Sequence, residues 1–364
     1  MPTRRPWITA NQVTLARLVP MPLLSVWLYH AAYDQRQLWA ALIAGTLIGC
    51  TDFVDGYLAR KHGPTVLGGL LDPIADKVFV ALVYMPFADL GVIPAWACAL
   101  MFVREFVVTA LRSAYERRDL HMKTSYLAKV KTWTQMQGIG VLMLFPLVGD
   151  VATMTGILIA GIALPLVAMA VLYAVRKKLW IGALVMSGAF AALLAVFRLR
   201  PADTGWFIMI IVVALTWISG FDYFAGAWKQ LRGRGDLGKD DGVRVLGAIA
   251  LPCAVFAALV ESPAPAWPLL AVLALELAVG GLDTLLNHHG AGARAASWGA
   301  RVLGASALCG AAVLAPGAAT VLAIAAFAIS AAGVTWEFWR GRDYYVDQRI
   351  RNKARGKPAA AAPS

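Results

Sequence analysis

Apolar residues come in long, nearly unbroken runs separated by short polar segments, a pattern that predicts membrane-crossing helices rather than the alternating faces of a soluble fold. A helix needs about 20 apolar residues to cross the hydrocarbon core. Twelve runs approach that length, at 12 to 30, 38 to 57, 71 to 89, 93 to 112, 132 to 148, 152 to 175, 179 to 197, 204 to 226, 244 to 260, 264 to 286, 299 to 314 and 317 to 338. The expected fold is therefore an all-α, polytopic membrane bundle of about 12 helices. The first run follows Arg4 and Arg5 but contains Arg17 and Pro20 with no cleavage-type segment behind it, so it reads as a retained helix.

Composition agrees with this reading: 60% of the residues are hydrophobic, 15% are charged, and the mean hydropathy is +0.66. Charge placement sets the orientation. With the N-terminus in the cytoplasm, 27 of the 33 Lys and Arg residues, Arg244 and Arg301 among them, fall in segments on the cytoplasmic side, and only Arg36, Arg198 and Arg200 lie in loops on the other face. An even number of spans in the inner membrane follows, with both termini cytoplasmic. The net charge of +12 is explained by basic loops beside anionic headgroups, and gives no case for nucleic acid. Cys50, Cys98, Cys253 and Cys309 are too widely spaced for a zinc or disulfide pattern and read as core residues.

The polar stretch 232–242 (RGRGDLGKDDG) reads as a linker between residues 1–231 and a four-helix unit at 243–339, and 340–364 as a basic tail. Segments around Glu276 and Glu105 resemble one another in placing an intramembrane acid about 25 residues before a basic helix start. Asp222, Glu276, Asp283 and Glu337 are expected to snorkel from helix ends, and His288 and His289 to be solvated.

Charges within apolar helices are costly, so their concentration between Asp52 and Asp76 is the most informative feature of the chain. Asp52 and Asp55 are three residues apart at one helix end, and Asp72 and Asp76 four apart at the next helix start. At about 100° per residue each pair shares a helix face. Gly63, Pro64, Gly68 and Gly69 between them read as a turn that brings the pairs together. Four facing carboxylates repel unless cations neutralise them, and all-oxygen ligation suits two Mg²⁺ or Mn²⁺ ions acting on a phosphorus centre. Gly56 and Ala59 leave room for a nucleotide, and Arg60 offers a planar donor for phosphate oxygens.

The pattern of Asp52, Asp55, Gly56, Ala59, Arg60, Gly68, Asp72 and Asp76 resembles the signature of the CDP-alcohol phosphotransferase family. Many relatives have eight residues between the arginine and the glycine where this chain has seven. The resemblance implies that the four aspartates hold two divalent metals, that Asp76 is also the general base, and that Gly56, Ala59, Arg60 and Gly68 contact CDP. NQVTLARLVPMPL, LDPIADK, REFVVTALR, KVKTWTQM and WISGFDYF are similar to the phosphatidylglycerophosphate synthase branch. Asn11 and Thr14 lie in the first of these and are expected to touch the nucleotide, with helix N-capping as the competing role.

The reaction implied is transfer of a phosphatidyl group from CDP-diacylglycerol to glycerol 3-phosphate, within a homodimer. A dianionic acceptor needs cations, and Arg104, Arg112, Lys129 and Lys131 are the candidates; positive-inside topology alone competes for the two lysines. Phosphatidylglycerol or an inositol phosphate as acceptor is the alternative, and a secondary transporter the remote one. The resemblance covers 1 to 150 and 204 to 231, and leaves 152 to 197 and 243 to 364 without a role.

Overall fold

The computed structural model describes residues 9–31, 34–62, 66–118, 120, 126–177, 179–234, 238–288 and 295–346. These described residues hold no β-strand and form thirteen α-helices. These are α1 (Ala10–Leu18), α2 (Pro20–Ala31), α3 (Gln35–His62), α4 (Val66–Asp89), α5 (Ala95–Glu116), α6 (Tyr126–Leu147), α7 (Val151–Arg176), α8 (Ile181–Leu199), α9 (Thr204–Arg234), α10 (Lys239–Glu261), α11 (Ala266–His288), α12 (Ala295–Leu314) and α13 (Ala319–Val346). Every apolar run is helical. The first is broken into α1 and α2 where Pro20 lacks the N–H that would continue the ladder.

Seven described helices, α3, α7, α8, α9, α10, α11 and α13, are long and apolar enough to cross a membrane. The expected twelve are not reached on that measure. α4 carries Asp72, Asp76, Lys77 and Asp89 and α5 carries Arg104, Glu105, Arg112 and Glu116, while α1 and α2 are individually short. α4 and α5 nevertheless form the most enclosed part of the bundle, with Tyr84, Met85, Met101 and Phe102 fully buried.

α1 and α2 pack between α3 and α4, and α6 and α9 complete the wall around α4 and α5. α7 and α8 pack chiefly on each other, and α7 is the least buried of the apolar helices. On the far side, α10 lies against α5 and α12, while α11 lies against α4, α5 and α13.

Several expectations are corrected. At the two ends of the 232–242 stretch, α9 continues to Arg234 and α10 opens at Lys239 with Asp240 and Asp241 in its first turn. Asp241 receives Arg117 at 2.5 Å and Arg118 at 2.7 Å, tying the end of α5 to the start of α10. The tail from 340 is helical to Val346, and residues from 347 lie outside the described ones. Glu276, Asp283 and Glu337 are buried and paired instead of snorkelling: Glu276 takes a bidentate contact from Arg301 at 3.0 Å, Asp283 pairs with Arg244, and Glu337 with Arg340 at 3.3 Å. Arg244 and Arg301, read as cytoplasmic loop charges, are thus partners of intramembrane acids. The echo between Glu105 and Glu276 does not extend to their pairing, since Glu105 receives its neighbour Arg104. Cys98 and Cys309 are buried, whereas Cys50 and Cys253 reach the bundle surface. Of Asp222 and His288 only the helical backbone is described, and His289 lies outside the described residues.

Candidate active site

The site is built where α1, α3 and α4 meet. Thr9 and Gln12 close a reciprocal cap on α1, with Thr9 N–H donating to Gln12 Oε1 at 2.9 Å and Gln12 N–H to Thr9 Oγ1 at 3.3 Å. The capping role open to Asn11 and Thr14 therefore belongs to Thr9. Freed from it, Thr14 is buried one turn further on, and its hydroxyl lies 3.0 Å from Asp55 Oδ2 and 3.1 Å from Asp72 Oδ1.

Three residues after Thr14, on the same face of α1, Arg17 enters the middle of the cluster. Its NH1 is 3.0 Å from Asp52 Oδ1 and 3.4 Å from Asp76 Oδ1, and its NH2 is 3.7 Å from Asp55 Oδ2. The four aspartates thus converge on two side chains of α1. The Arg17 and Asp55 side chains are each 3% exposed, while those of Asp52 and Asp76 are 49% and 36% exposed, so the cluster is closed at its base and open on one side.

Gly68 and Gly69 are not part of the inter-helix turn but lie near the start of α4, so Asp72 stands well inside the helix. Gly63 and Pro64, the remaining turn residues, lie outside the described ones. Pro73 cannot donate to the Gly69 carbonyl, which loosens α4 beside Asp72. Gly56, Ala59 and Arg60 continue α3 beyond Asp52 and Asp55, the first two half-buried and Arg60 exposed.

One guanidinium among four carboxylates leaves the site strongly anionic, and the all-oxygen donor set fits a hard divalent cation. Asp52, Asp55, Asp72 and Asp76 are the residues that would hold it. Among the described residues no three Asp, Glu, His or Cys side chains already form a metal-holding group, because the carboxylates are turned onto Arg17 and Thr14.

A cavity of about 440 Å³ leads away from the acids. Its lining runs along α3 from Ala41 to Phe53 and along α4 from Asp76 to Val83, with Leu24, Leu28 and Met143 closing it. Carboxylates therefore border an apolar slot.

The sequence profile described as CDP-alcohol phosphatidyltransferase matches residues 7–167, which contain the whole cluster. The chain is 36% identical over 135 residues to a Rickettsia bellii protein named "CDP-diacylglycerol--glycerol-3-phosphate 3-phosphatidyltransferase", covering 37% of this chain and 74% of that relative. The chain belongs to the CDP-alcohol phosphatidyltransferase family. A Mycobacterium tuberculosis relative, "Probable phosphatidylglycerophosphate synthase", is 34% identical over 178 residues, 48% of this chain and 83% of its own length. A Cereibacter sphaeroides relative with the same name as the Rickettsia protein is 29% identical over 232 residues, 62% of this chain and 98% of its own. No solved structure matches the chain.

Arg104 is buried, with Nε donating to the Thr216 carbonyl at 3.1 Å, NH2 to Ser219 Oγ at 3.1 Å and NH1 to Glu105 Oε1 at 3.3 Å. It pins α5 to α9. Arg112 is half-buried two turns further along α5. Lys129 and Lys131 lie near the start of α6, and their side chains are outside the described ones. Sequence reasoning passed over Arg17, although a lone arginine in an apolar helix signals a buried carboxylate partner.

Proposed function

We propose that this family member transfers a phosphatidyl group from CDP-diacylglycerol to glycerol 3-phosphate, giving phosphatidylglycerophosphate and CMP. The observation that carries the reading is the convergence of Asp52, Asp55, Asp72 and Asp76 at the border of an apolar cavity. Such a cluster suits a pyrophosphate, and such a cavity suits acyl chains. The names of the relatives supply the donor and the acceptor.

In this reading the aspartates hold two Mg²⁺ or Mn²⁺ ions, which supply charge neutralisation for the pyrophosphate and the departing CMP. Asp76, on the open side of the cluster, takes the proton of the acceptor hydroxyl. The oxygen so freed bonds to the lipid-linked phosphorus as the bond from that phosphorus to the CMP oxygen breaks. Arg60 meets the phosphates from the solvent side, with Gly56, Ala59, Gly68, Asn11 and Thr14 around the nucleotide. Because all three guanidinium nitrogens of Arg104 are engaged on α5 and α9, the acceptor phosphate falls to Arg112, Lys129 and Lys131.

The reading places the chain in the inner membrane with both termini cytoplasmic and about twelve crossings, α1 and α2 together making one. It also takes the protein to be a homodimer. The deciding experiment is CMP release by purified protein from CDP-diacylglycerol across glycerol 3-phosphate, phosphatidylglycerol and inositol phosphate, with and without Mg²⁺ or Mn²⁺. Release driven by glycerol 3-phosphate is expected, and release with another alcohol in preference to it would reassign the acceptor.

Two further results are expected. Arg112→Gln or Lys131→Gln should raise the KM for glycerol 3-phosphate roughly ten- to a hundredfold, because a charge-assisted hydrogen bond is worth about 1.5–3 kcal/mol. The KM for the lipid donor should hold. Equal acceptor kinetics in both variants and the parent would remove these residues from the site. Gly49 lines the cavity, and a Cβ there meets nothing within 4 Å. Gly49→Leu should displace about two methylenes of acyl chain at roughly 0.8 kcal/mol each, raising the KM of long-chain donor about tenfold. A short-chain donor should be little affected, and a uniform loss with both donors would argue against acyl chains in the cavity.

A further inference from the structure

Helices α10–α13 lie beyond the family match at 7–167, yet α11 reaches α4, which carries Asp72 and Asp76, and its neighbour α5. It does so through adjacent glycines. A Cβ on Gly281 would stand 2.8 Å from Ile74 Cγ1 and 3.2 Å from its Cδ1, and a Cβ on Gly280 would stand 2.9 Å from Thr109 Cγ2. The backbone of α11 therefore sits in the groove between α4 and α5 with no room for side chains.

Both contacts bear on the acid cluster. Ile74 lies on the single turn of α4 that joins Asp72 to Asp76. Thr109 of α5 accepts a hydrogen bond from Lys77 Nζ at 2.5 Å, and donates from the same hydroxyl to the Glu105 carbonyl at 2.7 Å. Lys77 directly follows Asp76. The methyl of Thr109 that faces Gly280 and the hydroxyl that holds Lys77 share one Cβ, so displacement of one displaces the other.

A buried polar lock fixes the register of α11. Asp283, three residues after Gly280, pairs with Arg244 of α10 and accepts from Ser113 Oγ of α5. Ser113 Oγ also receives Arg244 NH1 at 2.8 Å and Asn287 Nδ2 at 2.7 Å. All four residues are buried, and a slide of α11 along α5 would strand charges in a low-dielectric interior.

We propose that α11 is a positioning element for the active site, with Gly280 and Gly281 setting the placement of Asp72 and Asp76 through Thr109, Lys77 and Ile74. This rests on the reading that the four aspartates are the catalytic, cation-binding centre. It gives the C-terminal helices a part in the reaction beyond added packing.

The test uses full-length protein in detergent, with CMP release and Mn²⁺ binding followed by electron paramagnetic resonance in the absence of lipid. Gly280→Ala puts a Cβ 2.9 Å from the Thr109 methyl, closer than such atoms approach, so one of them must shift. A shift of about 1 Å at reacting groups costs on the order of a hundredfold, so a loss of about tenfold in kcat is expected, with weaker Mn²⁺ binding and little change in the KM for glycerol 3-phosphate. Adding Thr109→Ser removes that methyl and keeps the hydroxyl for Lys77, and should restore both kcat and Mn²⁺ binding. Unchanged kcat and Mn²⁺ binding in Gly280→Ala, or a loss that Thr109→Ser does not reverse, would overturn the proposal.

Should Gly280→Ala not fold, Thr109→Val keeps the shape but removes the hydroxyl to which Lys77 donates, and must weaken Mn²⁺ binding if the proposal holds; unchanged binding overturns it. The two readouts separate the proposal from the functional reading. Parent protein that binds Mn²⁺ but releases no CMP with any alcohol defeats the assigned reaction, while the Mn²⁺ titrations still decide the role of α11. Parent protein that binds no Mn²⁺ defeats both.

Discussion

Asp55→Asn and Asp76→Asn should each abolish CMP release, lowering it by at least about a thousandfold, while leaving the protein folded in detergent. The two substitutions act differently. Asp55 is 2% exposed at the closed base of the cluster, held by Thr14 and Arg17, so its neutralisation removes an oxygen donor and charge where no water can substitute. Asp76 is on the open side, where an amide cannot take the acceptor proton. Loss of general-base assistance alone is worth about 10²–10⁴-fold, and loss of a charged donor to the same centre adds to it. Neither asparagine changes side-chain volume appreciably, so size-exclusion profiles should match the parent. More than a few per cent of parent activity in either variant, or turnover that survives excess chelator, would exclude the chemistry proposed here.

The part of this site that could be read along the chain is the part that is local. Asp52 with Asp55 and Asp72 with Asp76 declare their shared faces by spacing alone, because helix periodicity relates residues three or four apart. Arg17 and Thr14 act across 35 to 59 residues of chain, and no periodicity reports such an approach. Arg17 was visible as a charge in an apolar run, but not the partners it would find.

The same limit explains Arg244 and Arg301. Counted as loop charges they fit the orientation rule, yet each lies far enough inside its helix to need an acid, and Asp283 and Glu276 supply it from α11. Polar composition hid the helix ends that reach into the 232–242 stretch. Asp241 makes that segment a helix start, accepting from the Gly238 N–H at 3.2 Å and receiving Arg117 and Arg118. Along the chain, nothing sets Gly280 and Gly281 apart from the other small residues of an apolar helix. Their meaning comes from Thr109 and Ile74, on elements more than 150 residues earlier.

Replacement of Arg17 by Met should separate the two ways in which the carboxylates can be neutralised. The guanidinium is buried and touches three of the four aspartates, and its removal leaves Asp55 as a buried anion without its cation. Breaking a buried pair costs about 3–5 kcal/mol. Asp52 and Asp76 are open enough to solvent that the lower end, about 3 kcal/mol, is the expected loss of stability in cation-free buffer. Divalent ions should then repair what Arg17 no longer does. A ligand present at about a hundred times its dissociation constant stabilises by about 2.7 kcal/mol, close to the deficit. The thermal midpoint of Arg17→Met should therefore rise with Mn²⁺ more steeply than that of the parent, in which the guanidinium competes for the same oxygens. Arg17→Lys, which keeps the charge but not the forked donor, should fall between them. An Arg17→Met protein as stable as the parent without divalent ions, or equal Mn²⁺ responses in the two, would show that Arg17 is not the group balancing the cluster.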